Sequence, residues 1–278
     1  MMVMILSLLL SIVLINIIIS FANNENSSNE TCNDAEDILT YINNKSKNNE
    51  SISIIELESE LVKRNIDILY ENENKTTICH VAATNNYQNL IEYIVSKKDI
   101  NIIEFINIKD KYGDTCIHKA CFNNNIEIVK LLKNNKADIF INTNVGVNPL
   151  HSTAYKGHND IIRLLIKEYN IPINIKTNSG AVPLHYAVGQ DHKPTVLLLL
   201  ELGANVNEFN KDGISALHIA LKNNRIEIAK LLVSFGALIE LKNNEGKMPL
   251  DYVQDDKIKS MILTEADAYL IRKKLTKK

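Results

Sequence analysis

Residues 114–121 read DTCIHKAC, and five segments elsewhere in the chain share this pattern. They are TTICHVAA at 76–83, VNPLHSTA at 147–154, AVPLHYAV at 181–188, ISALHIAL at 214–221 and KMPLDYVQ at 247–254. The fifth positions are separated by 38, 33, 34, 33 and 33 residues and hold His80, His118, His151, His185, His218 and Asp251. A near-constant period of about 33 residues indicates that one supersecondary unit is repeated along the chain.

The sequence after four of the motifs predicts a second short helix with one apolar face. These segments are IEIVKLL at 126–132, DIIRLLI at 160–166, TVLLLL at 195–200 and IEIAKLLV at 226–233. Gly203 and Gly236 follow two of them, where a left-handed C-terminal cap favours glycine. Another glycine precedes each later motif, at the expected tip of a β-turn, at Gly113, Gly146, Gly180, Gly213 and Gly246. Each unit therefore reads as helix, turn, helix and β-turn.

With its T-P-L-H-x-A-like motif at this period, the chain resembles the ankyrin-repeat family from about residue 73 to its end. The resemblance implies an all-α fold, an ankyrin-repeat solenoid of stacked helix–turn–helix units joined by β-turn fingers. We expect about six repeats within residues 73–278, the last being a worn cap in which Asp251 replaces the histidine. The 38-residue spacing implies about five extra residues near 100–108, which we expect to enlarge one finger loop.

The two ends of the stack need capping units with polar outer faces. Residues 34–44 and 53–65 have apolar positions at helical spacing. We therefore interpret residues 23–72 as a polar leader with a degenerate helical N-terminal cap. At the other end, a charged helix over residues 264–274 is expected to close the stack.

Residues 1–22, MMVMILSLLLSIVLINIIISFA, carry no charged side chain. This run predicts a cleaved signal peptide ending at Ala22 or a retained signal anchor, because it approaches the ~20 residues that span a bilayer. Sequons either mark a glycosylated luminal segment or arise by chance in an Asn-rich stretch, at Asn26, Asn29, Asn44, Asn49 and Asn74. We expect a protein of the secretory pathway or a secreted one; the alternative is a membrane-anchored protein, held only through residues 1–22.

Composition narrows the classes of ligand. The net charge of −2 gives no reason to expect a nucleic-acid partner, because such proteins usually carry a basic footprint. The four cysteines form no CxxC pair, so a zinc site is not expected. We interpret Cys79, Cys116 and Cys121 as small buried thiols and Cys32 as part of the leader. A disulfide framework is not expected, since a chain of 278 residues can build its core without one.

The histidine column is interpreted as structural. In the ankyrin family the Thr and His of this motif hydrogen-bond within and between repeats, and the resemblance carries that role to His80, His118, His151, His185 and His218. Motif positions in successive repeats should lie roughly 10 Å apart, too far for one metal ion, so no metal or cofactor is expected. We interpret His158 and His192 as solvated turn residues. The chain lacks the catalytic and phosphate-binding motifs that would indicate an enzyme, so no enzymatic activity is expected.

The likeness to ankyrin proteins implies a binding surface along the first helices and the β-turn tips. Counting one, four and five residues from each motif histidine gives the positions that should face the groove. Aromatic residues beside lysines are typical of interaction hot spots. The candidate partner-binding residues are Lys119, Phe122, Ser152, Tyr155, Lys156, Tyr186 and Gln190. The alternative is that these aromatic side chains only pack against neighbouring helices. We expect a monomeric interaction scaffold or adaptor with an unidentified protein partner; a remote alternative is an enzyme-associated regulatory subunit.

Overall fold

The computed structural model describes residues 55–56, 59–60, 68–98 and 100–275. The expected targeting segment at 1–22 and the expected helix at 34–44 lie outside the described residues, as does most of the helix expected at 53–65. The described part is helical and contains only isolated β-bridges, between Glu71 and Thr77 and between Phe209 and Ser215. The all-α prediction is confirmed.

Twelve α-helices and one 3₁₀ helix follow one another in the described residues. They are α1 (Ile78–Thr84), α2 (Gln88–Ser96), α3 (Ile102–Ile106), α4 (Cys116–Phe122), α5 (Ile126–Asn134), α6 (Pro149–Lys156), α7 (Asn159–Lys167), α8 (Pro183–Gly189), α9 (Lys193–Glu201), α10 (Ala216–Lys222), α11 (Ile226–Ser234), the 3₁₀ helix (Pro249–Tyr252) and α12 (Asp256–Leu275).

The helices form two layers. The first helices pack in series, α1 on α4, α4 on α6, α6 on α8 and α8 on α10, and α10 contacts the 3₁₀ helix. Behind them α2 contacts α5, α7 contacts α9, and α9, α11 and α12 pack in turn. Small or aliphatic side chains between the layers are fully buried, as Ala120, Leu150 and Leu199 illustrate. Stability therefore accumulates from one repeat to the next, as in other solenoids.

In all five repeats that contain the motif histidine, the imidazole occupies the third position of the first helix. There the imidazole takes the part that Glu or Gln usually plays, accepting the N–H of the capping residue. The capping residue of α8 is Val182, whose side chain cannot accept a hydrogen bond, so that helix has only half of a capping box. Three of these helices, counting the 3₁₀ helix, begin with Pro149, Pro183 and Pro249, where a missing N–H costs nothing. The residue between the paired helices is left-handed in every repeat that has such a pair: Asn86, Asn124, Gly157, Asp191 and Asn224.

The fingers share one turn and one ladder. In each, the backbone N–H of the first turn residue donates to the carbonyl four residues later, as from Thr143 to Val147 at 2.9 Å. Neighbouring fingers are joined by a backbone hydrogen bond, such as Asn178 N–H to the Val145 carbonyl at 3.1 Å. The same backbone N–H to carbonyl bond joins the other neighbouring fingers. Lys111 donates to Asn74, Asn144 to Tyr112, Lys211 to Ser179 and Asn244 to Asp212. These backbone hydrogen bonds join the fingers into one continuous edge of the stack.

The expectation for the 38-residue spacing was wrong. The extra residues do not enlarge a finger, because the turn from Asp110 to Asp114 has the same hydrogen bond as the others. They form α3 before the turn, with Phe105 and Ile106 buried. An apolar IIEFI segment reduces its exposed surface more by folding onto the stack than by extending a solvated loop.

Two further expectations need correction. The closing helix is longer than predicted: α12 begins at Asp256, and Ile262 is buried against the stack while Ile258 and Ala266 pack beside it. Cys79 and Cys116 are not free thiols but form a disulfide that joins α1 to α4, with Cα atoms 5.8 Å apart. Cys121 is a buried free thiol. The pairing escaped the sequence because it depends on how adjacent repeats face each other.

Candidate partner-binding surface

The motif histidines connect each repeat to the next. In each of the five, Nδ1 accepts the backbone N–H of the residue before the helix, at 3.1–3.2 Å. Since Nδ1 accepts, Nε2 carries the proton. Nε2 of His118 is buried without a hydrogen-bond partner among the described residues. In the other four histidines, Nε2 donates to a carbonyl of the following repeat. Its partners are Asp114 for His80, Ala181 for His151, Glu208 for His185 and Lys247 for His218, at 3.0–3.2 Å.

These rings are neutral. Burial lowers the pKa of His118, His151 and His185 to about 4. Burial also lowers the pKa of His80 and His218. A buried neutral ring that uses both nitrogens in backbone hydrogen bonds has neither a free lone pair for a metal nor a free proton for catalysis.

His158 and His192 lie in the turns between paired helices, as expected, but they are not fully solvated. Both are half-buried. His158 Nε2 lies 3.0 Å from the carbonyl of Phe122, and His192 Nε2 lies 2.9 Å from the carbonyl of Tyr155. In each case the ring bonds to a carbonyl in the last turn of the first helix of the preceding repeat, which otherwise lacks an intrahelical partner. They form a second set of bonds between repeats.

Three candidate aromatic residues lie on adjacent first helices. Phe122 and Tyr155 are exposed to 40% and 38%, and Tyr186 is half-buried. The Tyr155 and Tyr186 rings meet edge to face with centroids 6.5 Å apart. Tyr186 also stands edge-on to His151 at 5.3 Å. Tyr186 thus anchors the group, while Phe122 and Tyr155 present ring surface to solvent.

The remaining candidates surround these rings. Lys156 is exposed, and its Nζ lies 4.4 Å from the centroid of Phe122, joining α6 to α4. Gln190 is exposed at the end of α8, and Ser152 is half-buried on α6. We use the term aromatic patch for Phe122, Tyr155, Lys156 and Tyr186. A cation over a ring contributes about 0.5–1 kcal/mol at an exposed site, so the pair is positioned but separable.

Lys119 differs from the other candidates. Its Nζ lies 2.8 Å from Asp110 and 2.7 Å from Asp114, and Asp110 is buried. Burial alone would lower the pKa of Lys119, but the bonds to both carboxylates raise it. For Asp110, burial acts upward and the hydrogen bond from Lys119 outweighs it, so that pKa is lowered. Lys119 is therefore charged but already neutralised, and it offers little attraction to an acidic partner.

The β-turn tips were expected to belong to the binding surface, but no tip residue was among the sequence-predicted candidates. Tyr112 and Val145, at the tips of two successive fingers, are among the most exposed large apolar side chains described. The corresponding tips in the last two fingers carry Asp212 and Glu245. The tip residues are apolar in the repeats that carry the aromatic patch and are carboxylates in the last two fingers, where Glu245 is paired with Lys247. Aligning the turn glycines and reading the residue before each would have found this contrast.

No cluster of His, Cys, Asp or Glu suited to a metal ion occurs in the described part of the chain. Within those same residues, no helix is long and apolar enough to cross a bilayer.

Models of ankyrin repeats match most of the chain, one at residues 17–143 and 135–210 and another at 198–253. The matched region begins upstream of residue 73, where the recognisable motifs begin. The SMC5-SMC6 complex localization factor protein 1 of Bos taurus is 36% identical over 150 residues, covering 53% of this chain and 11% of that protein. A putative ankyrin repeat protein of Rickettsia bellii is 35% identical over 91 residues, covering 33% of this chain and 48% of that protein.

The nuclear factor NF-kappa-B p105 subunit of Gallus gallus is 29% identical over 216 residues, or 74% of this chain and 22% of that protein. The chain therefore spans less than half the length of these relatives. Ankyrin repeats generally mediate protein–protein interaction. Matching family models across more than half of its length, together with the stacked repeats, place this chain in the ankyrin-repeat family.

Proposed function

We propose that the chain is an interaction scaffold that holds a segment of another protein against the aromatic patch. The observation that carries the proposal is the exposure of Phe122 and Tyr155 beside Lys156 on the first helices of consecutive repeats. Binding hot spots are enriched in rigid aromatic side chains that lose little entropy on contact. The segment would be apolar with at most a mild acidic character, because Lys119 is already paired with Asp110 and Asp114.

The test compares capture of partners by the wild-type chain and two variants. Tyr155→Ala/Tyr186→Ala should reduce recovery of the bound protein at least tenfold, because truncating a hot-spot pair typically costs 2 kcal/mol or more. Phe140→Ala is the control, since Phe140 is an exposed aromatic residue, at 51%, that lies outside the patch. Circular dichroism must confirm that both variants fold. Equal recovery by the double variant and the wild type would contradict the proposal.

We also infer that the protein works in or through the secretory pathway. The apolar run at residues 1–22 supports this, and so does the disulfide between Cys79 and Cys116, because disulfides persist in oxidising compartments. Asn74 lies in a sequon and is exposed on the first finger. The alternative of a membrane-anchored scaffold keeps the same surface and differs only in whether residues 1–22 remain attached.

Glycosidase treatment of the full chain made in cells tests the compartment. A mobility change that diminishes in Asn74→Gln is expected for a luminal or secreted protein. The N-terminal residue of the mature chain then separates cleavage after Ala22 from a retained anchor. A chain without glycans and with reduced Cys79 and Cys116 would contradict the secretory assignment and leave the aromatic patch untouched.

A further inference from the structure

The end of the closing helix α12 projects beyond the rest of the stack. Tyr269 still packs against the repeats, since it is half-buried and a Cβ on Gly236 would lie 2.5 Å from its hydroxyl oxygen. The six residues that follow it, 270–275, are helical and all exposed, and we call them the helix end. Three of their side chains are large and aliphatic, with exposures of 52%, 59% and 68% for Leu270, Ile271 and Leu275. A helix that only capped the stack would carry a polar outer face here.

Basic side chains accompany these aliphatic ones. Residues 268–278 contain no Asp or Glu, in a chain whose net charge is −2. Their five basic residues are Arg272, Lys273, Lys274, Lys277 and Lys278. Nearby carboxylates do not cancel this charge, because only three are close: Glu265 pairs with Arg272 at 2.7 Å, and Asp267 and Glu240 line an apolar groove further back. Five basic residues against three carboxylates leave this end of the molecule positively charged.

The helix end presents both kinds of side chain on one side. Successive residues of an α-helix are rotated by about 100°, so the three aliphatic side chains and Lys274 fall within about 140° of the circumference. Lys273 flanks Leu270, and its Nζ lies 5.7 Å from the centroid of the Tyr269 ring. A lysine can bury its methylene stem beside aliphatic neighbours while its ammonium group stays in a polar layer. The segment therefore suits a boundary between a polar, anionic layer and an apolar one.

This combination of charge and apolar surface distinguishes between possible occupants. Pairing with the same segment of a second copy would bring like charges together. A nucleic acid would engage the lysines but not the aliphatic side chains, because its phosphates are bound by polar groups and its bases stack on aromatic rings. A protein segment would need a groove, whereas residues 270–275 are exposed all the way round the helix. Anionic lipids use both features, since the headgroups attract lysines and the layer beneath them accepts aliphatic side chains.

We propose that the helix end docks on an anionic membrane surface. Its lysines contact the headgroups, and Leu270, Ile271 and Leu275 insert about 5–10 Å, to the boundary with the acyl chains. The contact is peripheral, because six residues of helix, about 9 Å long, are far too short to cross a bilayer. It is separate from any attachment through residues 1–22 and needs only a membrane face that displays anionic headgroups. The aromatic patch lies on other repeats and stays free to bind its partner.

A fluorescent reporter tests insertion, because the chain contains no tryptophan of its own. In the full chain with Ile271→Trp, emission should move to shorter wavelength when vesicles of phosphatidylcholine and phosphatidylserine in equal parts are added. It should not move with vesicles of phosphatidylcholine alone. Because the reporter senses only its own surroundings, attachment of the chain through residues 1–22 cannot imitate the shift. Phe140→Trp, at a position 51% exposed in another repeat, is the control and should respond to neither vesicle. An Ile271→Trp emission that does not change with the anionic vesicles, or that shifts equally with the neutral ones, overturns the proposal.

Further substitutions in the Ile271→Trp chain separate charge from insertion. Lys273→Gln/Lys274→Gln should raise the lipid concentration that gives half of the shift about 25-fold, since each lysine near an anionic surface contributes roughly fivefold. Arg163→Gln/Lys167→Gln removes the same charge from exposed positions of α7 and should leave that concentration unchanged. Leu270→Ser/Leu275→Ser keeps every charge and should raise it about tenfold or more, because two aliphatic side chains no longer insert.

A lysine or leucine double variant that is folded by circular dichroism and still responds like the Ile271→Trp chain rejects the proposal. Heparin, a soluble polyanion without an apolar layer, should leave the emission of the Ile271→Trp chain unshifted. A shift with heparin as large as that with anionic vesicles would assign the helix end to soluble polyanions, nucleic acids among them, and not to membranes.

Discussion

At the scale of single residues, the motif histidine both caps its own helix and bonds to the next repeat. Its Nδ1 closes the first turn of its own helix, and its Nε2 reaches a carbonyl of the next repeat. Both tasks need the neutral ring, and burial lowers the pKa of three such rings to about 4. The contacts between repeats therefore depend on the histidine rings remaining neutral.

We predict that the chain loses stability as pH falls from about 6.5 towards 4. The unfolded histidines titrate near 6.5, so in this window the unfolded state binds more protons and unfolding becomes easier. His118, His151 and His185 should each cost about 2 kcal/mol by pH 5 relative to pH 7. The lowered pKa values of Asp110 and Glu208 affect the free energy of unfolding mainly below pH 5.

Urea unfolding at intervals between pH 7 and 5 measures this effect. The free energy of unfolding should fall with a slope of about three protons or more, because His80, His158 and His218, whose pKa values are also lowered, add to the contribution of the three most shifted rings. His151→Asn should be less stable at pH 7 but show a slope smaller by one proton, because one titrating ring is gone. A free energy that is constant from pH 7 to 5 would contradict the assignment of buried neutral rings.

The motif count could predict which aromatic residues lie on the first helices, whereas the contacts of the candidate residues could not be predicted. The register places Phe122, Tyr155 and Tyr186 on one side of the first helices. The neutralisation of Lys119 depends on Asp110 and Asp114 in the adjacent finger, and no local pattern encodes where their oxygens point. The bonds of His158 and His192 were missed for the same reason, since their acceptors lie 36 and 37 residues away.

At the scale of elements, the fingers explain why glycine recurs with the histidine motif. Gly146 has φ of +80°, and a Cβ there would lie 2.5 Å from the backbone N of Asn178 in the next finger. Gly246 has a similar φ of +76° but open space around its Cα. The first glycine is required by both conformation and close approach, the second by conformation alone. Sequence could reveal the column but not this difference.

We predict that Gly246→Ala costs about 1–2 kcal/mol, the price of a left-handed non-glycine residue. Gly146→Ala should cost at least about twice as much, because the methyl group must also displace the finger whose Asn178 N–H bonds to Val145. Chemical denaturation of both variants gives the comparison directly. Equal losses would mean that the finger ladder yields freely, contrary to its continuous hydrogen bonds.

At the scale of the whole molecule, stability is a sum of contacts between neighbours, so a disturbance should stay near its origin. The period in the sequence was sufficient to predict this architecture, because each repeat meets only the next. The period could not predict α3, which interrupts it. Nor could it predict the disulfide, which depends on how two adjacent repeats are oriented towards each other. That disulfide closes 37 residues between α1 and α4 at the N-terminal end of the described stack.

We predict that reducing the disulfide loosens only the N-terminal repeats. Releasing a loop of this size removes roughly 2–4 kcal/mol, so exchange of backbone amides in α1 and α2 should accelerate about 30-fold or more. Exchange in α10 and α11 should not change, because they contact neither cysteine. Hydrogen exchange of the oxidised chain, the reduced chain and Cys79→Ala/Cys116→Ala makes the comparison, with the variant guarding against incomplete reduction. Acceleration spread evenly from α1 to α11 would mean that the stack opens as one unit and that nearest-neighbour coupling does not describe it.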